Sequence, residues 1–290
     1  MTDGGIDDVT QGGTGGIDRG IDRLSLNQIT ARSWSLPEAV AGCAAAGVGW
    51  IGLWRDKVAE VGVDAAARLV RDHGLRVSSL CRGGFFTGMG PDGPTGDGVA
   101  DTREAIDEAV ALGTDVLVLV VGGVADRDLP GSRRRVAEAL DRLVPVALDR
   151  GVRLALEPLH PVQCAQRSVL STLHQAVELA ARYPAEAVGV VVDEFHVWWD
   201  PAVEDSIAAA AGRIAGFQVC DELVPLPDPL LGRGLPGEGP VDHRHLRACV
   251  EAAGYDGPIE VEIFNADLWS RPGADVLADV IASYRAHVAG

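Results

Sequence analysis

A chain of 290 residues with 47% hydrophobic content carries enough apolar material for one large domain of about 250 residues. Its formal net charge of −17 and the lack of any useful Lys/Arg stripe disfavour nucleic-acid binding, because neutralising phosphates needs a basic surface. No apolar run approaches the ~20 residues that span a bilayer, and the N-terminus has neither the basic start nor the apolar core of a secretory signal. A cytoplasmic protein without a membrane partner is expected.

Residues 1–20 are rich in Gly, Asp and Thr and are expected to form a disordered tail, with the fold over 21–290. LSLNQIT predicts a first strand, and LPEAVAGCAAAG a helix with Ser35 as its cap, Pro37 in its first turn and Gly47 as its stop. VGWIGLW predicts a strand, VDAAARLVRDHG a helix and RVSSLCRGG a strand, followed by a Gly/Pro loop from Gly88 to Gly98. VADTREAIDEAVALG is the next helix and DVLVLVVGG the fourth strand. SRRRVAEALDRLVPVALDRG predicts a long helix capped by Ser132, with Arg133, Arg134 and Arg135 on a solvated face, and VRLALEPLH the following strand. The alternation continues through STLHQAVELAARY, AVGVVVDEFHVWW, a short helix between Pro201 and Gly212, and RIAGFQVCDE. A long loop holding Gly232, Gly234, Gly237 and Gly239 reads as a flexible active-site loop. HRHLRACVEAAG, PIEVEIFN and GADVLADVIASYRAHV close the chain. Eight strand–helix units with continuously apolar central strands predict a single (β/α)8 TIM barrel of the α/β class. No strand runs into a glycine-rich dinucleotide fingerprint, which argues against an open doubly wound sheet.

Four polar residues end or nearly end the later strands: Glu157, Asp193, Gln218 and Glu262. In a closed barrel such rims face one mouth, so two Glu, one Asp and one amide oxygen would converge as a site for a divalent cation. In Asp193-Glu194-Phe195-His196, the His is placed to position or protonate a substrate oxygen while the Asp holds the metal. His160 stands in a similar relation to Glu157. Trp198 and Trp199 form either an aromatic shelf for a sugar or core packing. Arg233 would bind an anionic or hydroxyl group of the substrate, unless it is an exposed loop residue. Asp221 either orients the site or accepts a substrate hydrogen bond. The only lysine is Lys57, which disfavours imine chemistry. The five cysteines form no CxxC pair and are expected to be reduced, Cys220 as a small buried hydrophobe.

These motifs in this order resemble the xylose-isomerase-like barrel superfamily of sugar phosphate isomerases and epimerases, from about Leu24 to Ala286. The segments that carry the resemblance are LALEPLHP, DEFHVWWDP, FQVCDELVP with GRGLPGEGPVD, and GYDGPIEVEIF. The resemblance implies one divalent metal, manganese first and magnesium or cobalt next, held by Glu157, Asp193, Gln218 and Glu262. It also implies a small sugar or polyol substrate and pairing into a homo-oligomer. Family members usually have His where this chain has Gln218, and ketose epimerases tend to carry a further acid where it has His160-Pro161-Val162-Gln163. With Glu157 and Glu262 as catalytic carboxylates beside His196, proton removal next to a carbonyl would lead through an enediolate to isomerisation or epimerisation. The alternative on the same scaffold is a lyase, a dehydratase or an enzyme eliminating an aglycone from an oxidised sugar. A non-catalytic ligand-binding barrel is a third reading, and the −17 charge argues against the endonuclease branch.

Overall fold

The computed structural model describes residues 20–290, so the tail expected over 1–20 lies outside the described residues but for Gly20. Eight parallel strands close into a barrel: β1 (Leu24–Asn27), β2 (Trp50–Trp54), β3 (Arg76–Gly84), β4 (Val116–Val120), β5 (Arg153–Leu156), β6 (Val188–Asp193), β7 (Ile214–Val219) and β8 (Ile259–Val261). Each pairs with its sequence neighbours, and closure comes from β8 lying along β1 with Leu24 opposite Ile259 and Leu26 opposite Val261. The helices between them are α1 (Leu36–Ala46), α2 (Val63–Asp72), α3 (Gly98–Leu112), α4 (Leu129–Arg150), α5 (Leu173–Ala180), α6 (Val203–Ala209) and α7 (His243–Ala252), and α8 (Gly273–His287) ends the chain. The single (β/α)8 barrel expected from the alternation is the fold observed.

Alternation along the strands divides the core in two. Leu117 and Leu119 of β4, with Leu154 and Leu156 of β5, pack outward into the large cluster shared with the helices. Val116, Val118, Ala155, Val191, Ala215 and Cys81 fill a smaller cluster inside the barrel. Small side chains inside leave room near the mouth for polar groups. No helix among the described residues is long and apolar enough to cross a membrane.

Local signals fix most element ends. At the start of α1 the Glu38 carboxylate accepts from the Ser35 N–H at 2.8 Å and the Ser35 hydroxyl at 2.7 Å, and Gly47 ends the helix at φ 77°. The long helix α4 corrects one expectation. It begins at Leu129, not at Ser132, because Asp128 accepts from Gly131 N–H at 2.8 Å and Pro130 supplies a first-turn φ. Ser132 is buried in the first turn and donates to the Asp128 carbonyl at 2.8 Å. The Gly/Pro loop between Gly88 and Gly98 contains a short hairpin that pairs Met89–Gly90 with Gly93–Pro94.

Candidate active site

The barrel brings Glu157, Asp193 and Glu262 to one mouth, while Gln218 lies deeper, in the interior beside Glu260. Asp193 ends β6 opposite Gln218 of β7, while Glu157 and Glu262 follow the last residues of β5 and β8. All four are nearly inaccessible to solvent. Ligand atoms of Glu157, Asp193 and His196 lie within 4.8 Å of one another. Asp193 also caps the short turn of helix Glu194–Val197, accepting from Phe195 N–H at 3.0 Å, and this turn swings His196 back into the mouth.

Arg233 enters the same space. Its Nη1 donates to Asp193 Oδ2 and Glu262 Oε2, each at 2.9 Å, and its Nη2 lies 3.1 Å from His196 Nε2. It is 2% exposed and lies against the rings of Phe195 and Phe264, so it is no surface loop residue. One guanidinium cannot match three carboxylates held this close together. Burial, followed by the charges of Glu262 and Asp193, accordingly holds the Glu157 carboxyl well above its ordinary range. Burial raises Glu262 to about 8 even though Arg233 opposes the shift. Among the described residues the Glu157 side chain has no hydrogen-bond or ion-pair partner, whereas Glu262 is held by both Arg233 and Asn27 Nδ2.

A second polar layer, which the strand-end pattern did not reveal, lies beneath the first. Glu260 is buried inside the barrel and accepts from Asn27 Nδ2 at 2.7 Å, Gln218 Nε2 at 3.1 Å and the hydroxyls of Ser78 and Ser79. Gly52 makes space for it, since a Cβ there would meet the Glu260 carboxylate at 2.5 Å. With its amide nitrogen on Glu260, Gln218 has a buried Oε1 with no hydrogen-bond partner. Three buried carboxylates fit a hard divalent ion, and the orphaned amide oxygen lies in the layer below them. The sequence carries one trace of Glu260, the Glu-x-Glu spacing with Glu262, which puts both side chains on one face of the strand.

His196 receives the His160 N–H on Nδ1 at 3.0 Å, and its Nε2 lies 3.6 Å from Asp193 Oδ2 and faces the Arg233 guanidinium. Burial, then Arg233 and Arg167, hold it well below its ordinary value and hence neutral. Three residues expected to touch substrate stand behind the lining. His160 orients His196 through its backbone, and its ring packs edge-on against Trp199 at 5.2 Å. Trp198 donates to Glu222 at 3.2 Å, a packing role that leaves it outside the cleft. Asp221 accepts from Gly237 N–H at 2.8 Å and Val241 N–H at 3.0 Å and binds His243 Nε2 at 3.1 Å. The aromatic wall is instead Trp54 and Phe264, which meet edge to face at 5.7 Å.

The glycine-rich segment after β7 is correspondingly anchored where a flexible loop was expected. Arg233–Gly234 pairs antiparallel with Asp221–Glu222, and His243 bridges Asp221 and Glu194, the latter at 2.6 Å from Nδ1. Burial opposes protonation of His243, but the two carboxylates outweigh it and raise its pKa to about 9. Cys220 is fully buried and burial pushes its thiol well up, in keeping with a small apolar filler. All five cysteines are free.

The chain is 30% identical over 249 residues to a 3-dehydroshikimate dehydratase of Pseudomonas aeruginosa, an alignment that covers 83% of this chain and 38% of that protein. It therefore spans less than two-fifths of that curated relative. It is 26% identical over 163 residues to an inosose isomerase of Bacillus subtilis, covering 52% of this chain and 57% of the relative. A crystal structure of a Sinorhizobium meliloti 1021 protein superposes with a TM-score of 0.87 at 41% identity, covering 93% of this chain and 100% of that one. The family model of the xylose isomerase-like TIM barrel matches residues 40–287. The chain belongs to that family.

Proposed function

We propose that the protein is a metal-assisted lyase that removes water from a hydroxylated cyclic ketone. The observation that carries this reading is the asymmetry of the two catalytic carboxylates: among the described residues Glu157 has no hydrogen-bond or ion-pair partner, while Glu262 is tied to Arg233 and Asn27. Inverting a stereocentre needs two groups free to exchange protons on opposite faces, whereas elimination on one face needs a single one. The likeness to a 3-dehydroshikimate dehydratase supports the same choice.

Glu157, Asp193, Gln218 and Glu262 would hold a divalent ion, manganese, magnesium or cobalt, which when bound polarises the substrate carbonyl. Glu157 takes the proton from the carbon beside the carbonyl, using the carboxylate oxygen left free, and the C–H electron pair moves toward the carbonyl oxygen. Neutral His196 and the N–H donors of Arg233 beside it face the oxygen on which negative charge grows. The protonated Glu157 then returns its proton to the neighbouring hydroxyl on the same face. That C–O bond breaks, a C=C bond forms, and water leaves with Glu157 again a carboxylate. The isomerase reading, favoured by the inosose isomerase likeness, shares the first step and differs in where the proton returns.

The test is incubation with 3-dehydroshikimate and with inososes in D2O, with manganese, followed by mass spectrometry. Loss of water from the first is expected, and Glu157→Gln should lower kcat about 10³-fold while the protein stays folded. Deuterium gained by an intact inosose skeleton, with no dehydration of any substrate, would replace the lyase by the isomerase.

A further inference from the structure

Outside the inner pocket formed by Glu157, His196, Arg233 and Glu262, the cleft opens into a chamber of about 830 Å³. Arg82, at the end of β3, and Arg167, in the loop after β5, line both spaces and so stand at their boundary. They differ from two of the other arginines nearby, while Arg32, also on the chamber wall, lies over the Trp269 ring. Arg55 is matched by Asp101 and Glu108, and Arg233 by Asp193 and Glu262. Among the described residues, neither Arg82 nor Arg167 has a carboxylate within ion-pair distance. The Arg82 guanidinium lies 3.8 Å from the centroid of the Phe85 ring, and Arg167 Nε is buried without a hydrogen-bond partner. Burial, then the charge of Arg167, brings Arg82 down to about 10, and burial lowers Arg167 as well.

Partly buried cations that repel one another are costly unless an anion completes them. In a chain of net charge −17 their position beside the reacting carboxylates is a strong local exception. The chamber also holds Asp92, Asp97 and Asp101, which suit a singly charged carboxylate better than a dianionic phosphate. Trp54 and Phe264 give the adjoining wall an apolar face for a ring.

We propose that Arg82 and Arg167 form a carboxylate subsite, so that the substrate is a hydroxylated keto acid and not a neutral sugar. The ring lies against Trp54 and Phe264, with the reacting carbons toward Glu157. The subsite deepens the elimination reading and rests on it only for the choice of ring acid as probe.

Isothermal titration calorimetry with shikimate and its methyl ester tests it, since both lack the ketone and neither turns over. Shikimate should bind at least tenfold more tightly than the ester. Arg82→Gln and Arg167→Gln should each lower shikimate affinity tenfold or more and leave ester affinity within about twofold. Arg82→Lys and Arg167→Lys, which keep the charge, should recover part of the loss and so separate binding from misfolding. Equal affinity for acid and ester, or equal loss of both in the Gln variants, would overturn the subsite. Displacement of shikimate by inorganic phosphate at lower concentration than by benzoate would also overturn it, in favour of a phosphate site. Dehydration of 3-dehydroshikimate is followed separately. Discrimination without turnover leaves the subsite standing and removes the elimination reading, whereas turnover without discrimination removes the subsite alone.

Discussion

Gln218 links the mouth of the barrel to the layer beneath it, since its amide nitrogen is held by Glu260 and its oxygen is left over. Imidazole is a better donor than an amide oxygen to softer ions such as cobalt, so Gln218→His should tighten cobalt binding by about 10-fold or more in calorimetry. An unchanged Kd would remove Gln218 from the ligands. Arg233 makes two predictions of opposite sign. Arg233→Met takes away a positive charge 2.9 Å from both Asp193 and Glu262, so manganese should bind more tightly. The same change leaves buried carboxylates unmatched and should cost about 3–5 kcal/mol of stability in the metal-free protein, read from denaturant unfolding. Asp193, Glu157 and Glu262 were legible in the sequence because each ends an apolar run. Asn27 and Glu260 were not, because a strand read in isolation does not reveal the depth at which a polar side chain sits inside a barrel.

The segment from Asp221 to Val241 is the element that delivers Arg233, and His243 is its anchor. The folded His243 pKa of about 9 lies above the ordinary 6.5, so the stabilisation is fully present below pH 6.5 and is lost as pH rises through 9. Glu194 acts in the same direction at lower pH: burial raises it to about 7, so folding loses stability as pH climbs from 4.5 to 7. The melting temperature should fall between pH 7 and pH 10, and His243→Gln should start lower and vary less over that range. A parallel decline in the variant would remove His243 as the source. The glycines of this segment suggested mobility because its partners, Asp221 and Glu194, are 22 and 49 residues from His243, beyond any local pattern. The start of α4 was misplaced for a more local reason: Asp128 and Pro130 form the better cap, and Ser132 lies one turn inside it.

Across the whole molecule, strand period and helix period repeat cleanly enough that the barrel follows from sequence, and closure explains how residues 157, 193 and 262 come to one mouth. The arginine boundary of the cleft was hidden because Arg82 comes from the end of β3 and Arg167 from the loop after β5, and no spacing relates them. If the anionic mouth binds a divalent ion in the native state, a concentration of 100 times Kd should add about 2.7 kcal/mol of stability. For a chain of this size that corresponds to a rise in melting temperature of roughly 4–5 °C, which Asp193→Asn should abolish. An equal rise in that variant would place the ion elsewhere. The buried floor under the mouth also limits what can be borrowed from this protein. Copying Glu157, Asp193, Gln218 and Glu262 onto another barrel would move the side chains without what sets their angles. The smallest transferable unit includes Glu260 with Asn27, Ser78 and Ser79 around it, and a bare glycine at position 52 to admit it.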